Sequence, residues 1–233
     1  MARAVYRAIT HLSRDLFGGP RPWRQSWVID VHKGATGPLV VLLMLTYGNT
    51  TTPAWIYLAL HGSYGLAWVI KDRIFPDRSW QVRVTIGGAA VTFLGLSLYW
   101  LLPFLLVSGV VGTPPSPAVM AAAVAVYAVG LTLMLGADAQ KYFTLQLRNG
   151  LIQDGFFRHM RHPNYLGEML VYAAFALVVN HWLAWAILGA MWLALFLPRM
   201  LAIEASLARF PTWPTYHART GFLLPRSTGR SFR

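Results

Sequence analysis

The chain has 233 residues, of which 56% are hydrophobic and only 12% are charged, and its net charge is +12. Soluble domains have about 25% charged residues, so this composition argues against an ordinary soluble domain, and the apolar content excludes a disordered chain. The positive charge alone could indicate nucleic-acid binding, but the charged residues are grouped along the chain in a way that nucleic acid does not explain.

The N-terminal segment, residues 1–33, is predicted to form an amphipathic helix in the membrane interface. Val5, Ile9, Leu12 and Leu16 recur with helical spacing, and basic residues occupy the opposite face. A helix of this kind lies flat on a membrane surface. Two alternatives remain open, namely a gate over a substrate site and an Arg-rich mitochondrial presequence.

Three long segments without charged residues dominate the rest of the chain. They lie between Lys33 and Lys71, between Arg83 and Asp138, and between Glu168 and Arg199. Because a membrane-spanning helix needs about 20 apolar residues, each segment suits a pair of spans separated by a turn of Gly, Pro or polar residues. The predicted spans are residues 36–48, 54–70, 84–107, 118–136, 165–179 and 182–198.

Six spans would place both termini on one side of the membrane. The charged segments would share that side, and the three turns on the other side contain no Lys or Arg. By the positive-inside rule the charged side is cytoplasmic. The sequence therefore predicts an all-α, polytopic membrane bundle of about six transmembrane helices. The use of three Lys against 17 Arg suggests a bacterial inner membrane.

The predicted bundle divides into a substrate half and a cofactor half. Residues 34–136 would contribute four transmembrane helices that bind an apolar substrate arriving from lipid. Residues 137–233 would contribute the last helical hairpin, a cytoplasmic tail and a cytoplasmic cofactor pocket. The reason is that polar groups are dense beside membrane helices only in the stretch 138–204. No nucleic-acid partner is predicted.

Residues 161–168, with the sequence RHPNYLGE, form the most informative motif of the chain. Pro163 disfavours a helical conformation at His162 and is tolerated in the first turn of the helix that follows. Arg161 and His162 precede the free N–H groups of that turn and suit a phosphate or carboxylate. Glu168 would be costly near a membrane unless paired, which suits a ligand hydroxyl or amide. The alternative is a basic turn with a capping polar group.

A second polar group lies on one face of the second predicted span, where His61, Tyr64, Trp68 and Lys71 recur at helical spacing. A histidine inside a membrane helix is costly, so His61 or Tyr64 is a candidate to polarise a substrate carbonyl. The alternative is a Tyr–His hydrogen bond that packs two helices. No metal site is predicted, because Cys is absent and the neighbouring histidines have no clear third ligand.

The segment 161–168 resembles the RHPNYxGE signature of a superfamily of membrane enzymes. This superfamily includes steroid 5α-reductases, sterol C14 and C7 reductases, and isoprenylcysteine carboxyl methyltransferases, and the resemblance covers roughly residues 134–226. Residues 137–141 resemble the D-x-Q-K element of the reductases, and residues 150–157 resemble their G-L-W element. Together with Asn164 these elements favour the reductases, of the DUF1295 type.

The tail from Arg199 to Arg219 resembles that of the methyltransferases, although Ile203 stands where a second Glu is usual. An S-adenosylmethionine-dependent methyltransferase, acting on a lipid, an isoprenoid-linked carboxylate or an amine, is therefore the alternative function. A non-catalytic membrane protein with a remnant pocket is the third.

The reductase resemblance implies NADPH-dependent reduction of a carbon–carbon double bond in an apolar substrate, either steroid-like or an enoyl lipid. No Rossmann glycine motif is present. Hydride transfer to an enone needs a group that polarises the carbonyl and a proton source, and the predicted catalytic residues are His61, Tyr64 and Glu168. The residues implied to bind the cofactor are Lys141, Arg148, Arg158, Arg161, His162, Asn164, Tyr165, Glu168, Arg199, Glu204, Tyr216 and Arg219.

Overall fold

The computed structural model describes residues 2–110 and 113–226, apart from the side chains of residues 2 and 3. These residues are mostly helical with little strand, which confirms the predicted all-α class. Two short strands, β1 (Trp23–Arg24) and β2 (Arg83–Val84), pair antiparallel. The α-helices are α1 (Ala2–Asp15), α2 (Gln25–Tyr47), α3 (Thr52–Ile74), α4 (Ile86–Ser97), α5 (Leu101–Val107), α6 (Pro117–Leu147), α7 (Pro163–Val179), α8 (Trp182–Met191), α9 (Leu197–Leu207) and α10 (Trp213–Arg219).

Four of the described segments are long and apolar enough to cross a membrane: Gln25–Tyr47, Ile86–Val107, Pro117–Leu147 and Trp182–Leu207. Two of them are composite. A 3₁₀ turn joins α4 to α5, and a π-helical segment, Trp192–Phe196, joins α8 to α9. The chain is therefore an integral membrane protein. Helices α3 and α7 occupy the other two predicted positions, but α7 has only 17 residues and α3 ends in charged residues. The count of six spans stays a prediction.

The first span begins earlier than the sequence predicts. Helix α2 starts at Gln25 rather than at residue 36, and it includes Asp30 and Lys33. These charged residues set the predicted boundary, because an unpaired charge is costly in a membrane. In the structure both are buried, with 7% and 3% of their surface exposed. They have partners, so the helix continues through them.

Helices α6 and α7 pack closely because each has a glycine at the contact. A Cβ on Gly130 would lie 2.7 Å from the Gly167 carbonyl oxygen, and a Cβ on Gly167 would lie 2.6 Å from that of Gly130. No larger residue fits at that separation, because real Cβ atoms do not approach within 3.0 Å. The contact brings the RHPNYLGE helix directly against the helix that contains Asp138.

The uncharged turns meet at one end of the bundle. The Asn49 side chain donates a hydrogen bond to the Val107 carbonyl (3.1 Å), and that of Asn180 donates one to the Thr113 carbonyl (3.2 Å). Asn180 caps the C-terminal end of α7, whereas the RHPNYLGE motif starts the same helix. The motif and the uncharged turns therefore lie at opposite ends.

The N-terminal helix is attached to the bundle rather than lying apart from it. The Thr85 backbone N–H donates to the Arg14 carbonyl (2.9 Å), and the Thr85 hydroxyl donates to the Leu16 carbonyl (3.0 Å). Gly88 leaves room for this contact, since a Cβ there would lie within 2.9 Å of Arg14 backbone atoms. Part of the predicted tail, residues 227–233, lies outside the described residues, as do residues 111–112 of the second predicted turn.

Candidate functional site

A cavity of about 330 Å³ lies between the N-terminal helix and the bundle, and we refer to it as the central cavity. Helices α1, α2, α3, α4, α6, α7 and α9 all contribute residues to its wall, and most of that wall is apolar. The main apolar residues are Ile9, Leu12, Ile29, Trp68, Trp80, Val91, Leu96, Met134, Met191, Leu195 and Phe196.

The RHPNYLGE motif directs three of its side chains to this cavity. Pro163 occupies the first turn of α7, and His162 before it has an extended φ of −126°. Asn164, Tyr165 and Glu168 follow within little more than one helical turn, so they share one face. All three line the central cavity. The structure therefore brings together three of the motif residues predicted to bind a cofactor.

A buried hydrogen-bonded group, the Lys33 cluster, adjoins these residues. It consists of Lys33, Tyr64, Glu168 and Tyr172. The Lys33 ammonium donates to the Tyr172 hydroxyl at 2.5 Å and to the Tyr64 hydroxyl at 3.2 Å. The Tyr64 hydroxyl in turn donates to Glu168 Oε1 at 2.9 Å. The cluster thus links a buried ammonium to the motif carboxylate through a phenol.

Aromatic rings surround the Lys33 ammonium. Its Nζ lies 4.4 Å from the ring centroid of Tyr64, 5.1 Å from that of Tyr172, 5.2 Å from that of Trp68 and 5.8 Å from that of Tyr99. Among the described residues no carboxylate forms an ion pair with it. Cation–π attraction and two phenol oxygens therefore offset part of the cost of burying this charge.

A second buried charge pair lines the same cavity. The Lys71 ammonium and the Asp138 carboxylate form an ion pair, with 5% and 8% of their side-chain surfaces exposed. The Lys71 ammonium also lies 4.4 Å from the ring centroid of Trp68. Asp138 is the first residue of the D-x-Q-K element, so one end of this element lies in the cavity wall.

Two guanidinium groups converge on Ser79 beside the cavity. Arg14 donates to the Ser79 carbonyl at 2.8 Å, and Arg199 donates to the Ser79 hydroxyl at 2.7 Å. The Arg199 guanidinium also lies 3.7 Å above the Trp80 ring. Burial lowers the pKa of Arg14, and the charge of Arg199 acts in the same direction. Two guanidinium groups on one residue favour a nearby anion, and the Asp77 carboxylate, whose pKa Arg199 lowers, is one such group in the cavity wall.

Lys141, a predicted cofactor ligand, forms an ion pair with an acidic residue of the loop after α3. Its ammonium lies 2.7 Å from Asp77 Oδ2, and Asp77 Oδ1 accepts a hydrogen bond from the Ser79 backbone N–H. Burial alone would raise the pKa of Asp77, but Lys141, Arg199 and these hydrogen bonds hold that pKa below its ordinary value. Asp77 lines the cavity, whereas Lys141 does not.

Arg161 anchors the C-terminal segment and does not line the cavity. It forms an ion pair with Glu204. Its Nη1 also donates to the carbonyl oxygens of Thr220 at 2.5 Å and of His217 at 3.2 Å. These contacts use the Nε and Nη1 donors of Arg161, so Arg161 and Glu204 attach the C-terminal segment to the residues before α7.

His162 and Tyr216 belong to the same anchoring region. The Tyr216 hydroxyl donates to the Phe157 carbonyl at 2.8 Å, and burial raises the pKa of Tyr216 to about 12. His162 is 2% exposed, and burial lowers its pKa although Glu204 acts in the opposite direction. Neither residue is part of the cavity wall.

The remaining predicted cofactor ligands lie on the surface outside the cavity. Arg148 pairs with Asp154 at 2.7 Å, and more than half of each side chain is exposed. Arg219 donates to the side-chain oxygen of Gln153 at 2.7 Å. Arg158 is exposed. Of the cationic residues predicted to bind the cofactor, the structure places only Arg199 in the cavity wall.

The two catalytic candidates of α3 differ in their surroundings. Tyr64 belongs to the Lys33 cluster, behind the cavity wall. His61 lies one turn away, where its Nδ1 is 2.8 Å from the Tyr57 hydroxyl and its ring stacks on Phe175 at 4.2 Å. Since these are helix-packing contacts and His61 does not line the cavity, the geometry gives no support to its predicted role on a carbonyl.

Three residues of the cavity wall, Lys33, Tyr99 and Tyr172, are absent from the predicted site. A signal for Tyr172 exists in the sequence, because it follows Glu168 by four residues and so shares its helix face. Lys33 also has a signal in the sequence, because it is a charged residue at the edge of an apolar segment. Tyr99 stacks on Tyr172 at 4.1 Å. The two residues are far apart in the sequence, so no local pattern predicts this contact.

Comparison with known proteins places this architecture in a family. The sequence model of a family described as "Protein of unknown function (DUF1295)" matches residues 21–219. A segment of 58 residues is 41% identical to an uncharacterized protein of Schizosaccharomyces pombe. That segment covers 25% of this chain and 19% of the yeast protein, so the chain matches about a fifth of the length of this relative.

Proposed function

Because this chain belongs to the DUF1295 family, whose description assigns no activity, we propose a function from its cavity: NADPH-dependent reduction of a carbon–carbon double bond in an apolar substrate. The observation on which the proposal rests is a shared site. Asn164, Tyr165 and Glu168 line the same largely apolar cavity as Lys33 and Tyr172. A polar cofactor and an apolar substrate could therefore meet there.

The residues of the cavity fit a nicotinamide dinucleotide in a different way from the one the sequence suggests. Arg14 and Arg199 converge on Ser79 and suit phosphate groups, which guanidinium ions bind well. Asn164 and Glu168 offer an amide and a carboxylate for the nicotinamide amide or ribose hydroxyls. When bound, NADPH would supply a hydride.

The other residues would position the substrate and control its surroundings. Apolar side chains such as Trp68, Leu96 and Phe196 line the cavity and would bind a hydrocarbon body. The Lys33 cluster provides hydrogen-bond donors at a buried site, where electrostatic stabilisation is stronger than in water. Glu168 keeps Tyr64 in place through its hydrogen bond.

Ligand stabilisation of the detergent-solubilised protein tests this proposal. NADPH at 100 times its dissociation constant is expected to add about 2.7 kcal/mol to the free energy of unfolding, measured as a higher melting temperature. Arg199→Gln should weaken this effect, because it removes a guanidinium from the cavity wall. Arg148→Gln is the matched control, since Arg148 is exposed and lies outside the cavity.

The same measurement separates the reductase from the methyltransferase. S-adenosylmethionine and S-adenosylhomocysteine are tested beside NADPH under identical conditions. Stabilisation by the adenosyl compounds alone would contradict the reductase proposal and support the methyltransferase. If none of the three ligands raises the melting temperature, the enzyme proposal itself fails.

We also propose that the charged end faces the cytoplasm of a bacterial inner membrane, with six spans and both termini inside. The absence of Cys from the chain makes labelling direct. A single Cys introduced as Thr50→Cys in an uncharged turn should react with an impermeant maleimide in intact cells. Arg209→Cys, at the end that contains the charged segments, should react only after permeabilisation. The reverse pattern would contradict the proposed orientation.

A further inference from the structure

We propose that Tyr172 donates a hydrogen bond to the carbonyl oxygen of the substrate, with Lys33 positioning and activating it, so that the substrate is an apolar enone or enal. This inference rests on the proposed reductase function and assigns the residues that act on the substrate carbonyl. It replaces His61 and Tyr64 as the residues that polarise the carbonyl.

The hydroxyl proton of Tyr64 is already engaged. Tyr64 donates to Glu168 Oε1 at 2.9 Å, whereas its contact with the Tyr172 hydroxyl is longer, at 3.4 Å. A phenol has one proton to donate, and a carboxylate is the stronger acceptor. Tyr64 also lies behind the cavity wall. It is therefore poorly placed to donate to a substrate.

The hydroxyl proton of Tyr172 is held only by a long hydrogen bond. Tyr172 accepts a hydrogen bond from the Lys33 ammonium at 2.5 Å, and because the Tyr64 proton goes to Glu168, the 3.4 Å contact between the two hydroxyls leaves Tyr172 as the donor. Tyr172 lines the central cavity. A phenol that accepts from a cation becomes a stronger donor, because hydrogen bonds in a chain polarise one another. An acceptor in the cavity would complete that chain.

Lys33 places its ammonium directly beside the Tyr172 hydroxyl. The surrounding rings and the two phenol oxygens hold the ammonium. Only 3% of the Lys33 surface is exposed. Within the described residues no carboxylate neutralises it through an ion pair. The Lys33 amine, when protonated, stabilises negative charge that develops on a substrate oxygen hydrogen-bonded to Tyr172. Lys33 acts through Tyr172, so it is a positioning residue.

An enone or enal is the substrate that uses this arrangement. The hydride, with its electron pair, adds to the β-carbon, and the π electrons of the double bond move to the carbonyl oxygen. Tyr172 and Lys33 stabilise the resulting enolate, which then takes a proton from water at the α-carbon. The double bond is reduced, the nicotinamide is oxidised, and a saturated carbonyl compound is released.

A chromophoric probe tests the hydrogen bond without turnover. We would titrate the solubilised protein with 4-dimethylaminocinnamaldehyde, an apolar enal whose absorption moves to longer wavelength when its carbonyl accepts a strong hydrogen bond. The wild-type protein should bind the probe with a red shift. Tyr172→Phe should bind it without that shift and lower the rate of enone reduction about 100-fold. Lys33→Met should reduce the shift without removing it.

Tyr57→Phe is the matched control, because it also removes a buried tyrosine hydroxyl but one that bonds to His61 outside the cavity wall. This variant should keep the full red shift. A shift that persists in Tyr172→Phe, or a failure of the wild type to bind the probe, would overturn the inference. If Lys33→Met does not fold, the Tyr172→Phe result alone decides.

Failure of the reductase proposal would look different. In that case the probe would still shift in the wild type and not in Tyr172→Phe, but NADPH would neither stabilise the protein nor be oxidised in the presence of an enone. The opposite result, NADPH-linked reduction with an unchanged shift in Tyr172→Phe, would leave the reductase intact and remove Tyr172 from its mechanism.

Discussion

Glu168→Gln is expected to lower the rate of enone reduction by about 100- to 1,000-fold, the range found when one preorganised hydrogen-bonding group is removed from an active site. Glutamine keeps the shape of the side chain and an oxygen that can accept from Tyr64, which now donates to Glu168 at 2.9 Å. The substitution removes the negative charge of the Lys33 cluster and one hydrogen-bond acceptor for the cofactor. The loss should therefore appear in kcat, measured with NADPH and an apolar enone, with little change in melting temperature.

Glu204→Gln is the control for this substitution. Glu204 is also a partly buried carboxylate, but it binds Arg161 in the C-terminal anchor and does not line the cavity. It should lower the melting temperature more than Glu168→Gln and kcat less. If Glu168→Gln retains wild-type turnover, the motif carboxylate has no part in the reaction.

Asn164 is a second motif residue whose role in cofactor binding can be tested. It lines the cavity four residues before Glu168, and its side chain makes none of the hydrogen bonds found within residues 2–110 and 113–226. Asn164→Ala should therefore weaken stabilisation by NADPH while the protein still inserts and folds. An unchanged NADPH response would remove Asn164 from the cofactor site.

The sequence was sufficient to predict where the motif lies but not which charges accompany it. Asn164, Tyr165 and Glu168 are close in sequence, so helical spacing alone places them on one face. Arg14 and Arg199 lie far apart in the chain and meet only because α1 packs against the bundle near α9. No local pattern contains that contact, so Arg14 is absent from the predicted ligands, whereas Arg199 is among them.

Charge was also a poor guide to the ends of helices in this protein. Lys33 and Asp138 mark the limits of the predicted apolar segments, yet both lie inside helices, α2 and α6. A charge ends a membrane helix when it has no partner, because an isolated charge is costly in lipid. The partners of these residues, Tyr172 for Lys33 and Lys71 for Asp138, come from other helices. The boundaries therefore depend on tertiary contacts.

The largest stability effect should come from the Lys71–Asp138 pair. Asp138→Asn leaves the buried Lys71 ammonium without its counter-charge, and breaking a buried pair in this way costs about 3–5 kcal/mol. We expect a loss of that size in the free energy of unfolding, measured by denaturant titration in detergent. The double variant Lys71→Met with Asp138→Leu should recover much of it, because an apolar pair has no uncompensated charge.

The exposed pair Arg148–Asp154 is the matched control for this test. Its ends are 2.7 Å apart, but more than half of each side chain is exposed. A surface pair contributes at most about 1 kcal/mol, because water and salt screen it. Asp154→Asn should therefore have a small effect. Equal losses for Asp138→Asn and Asp154→Asn would show that the Lys71–Asp138 pair is solvated in the protein, and the cavity wall would then be open to water at that point.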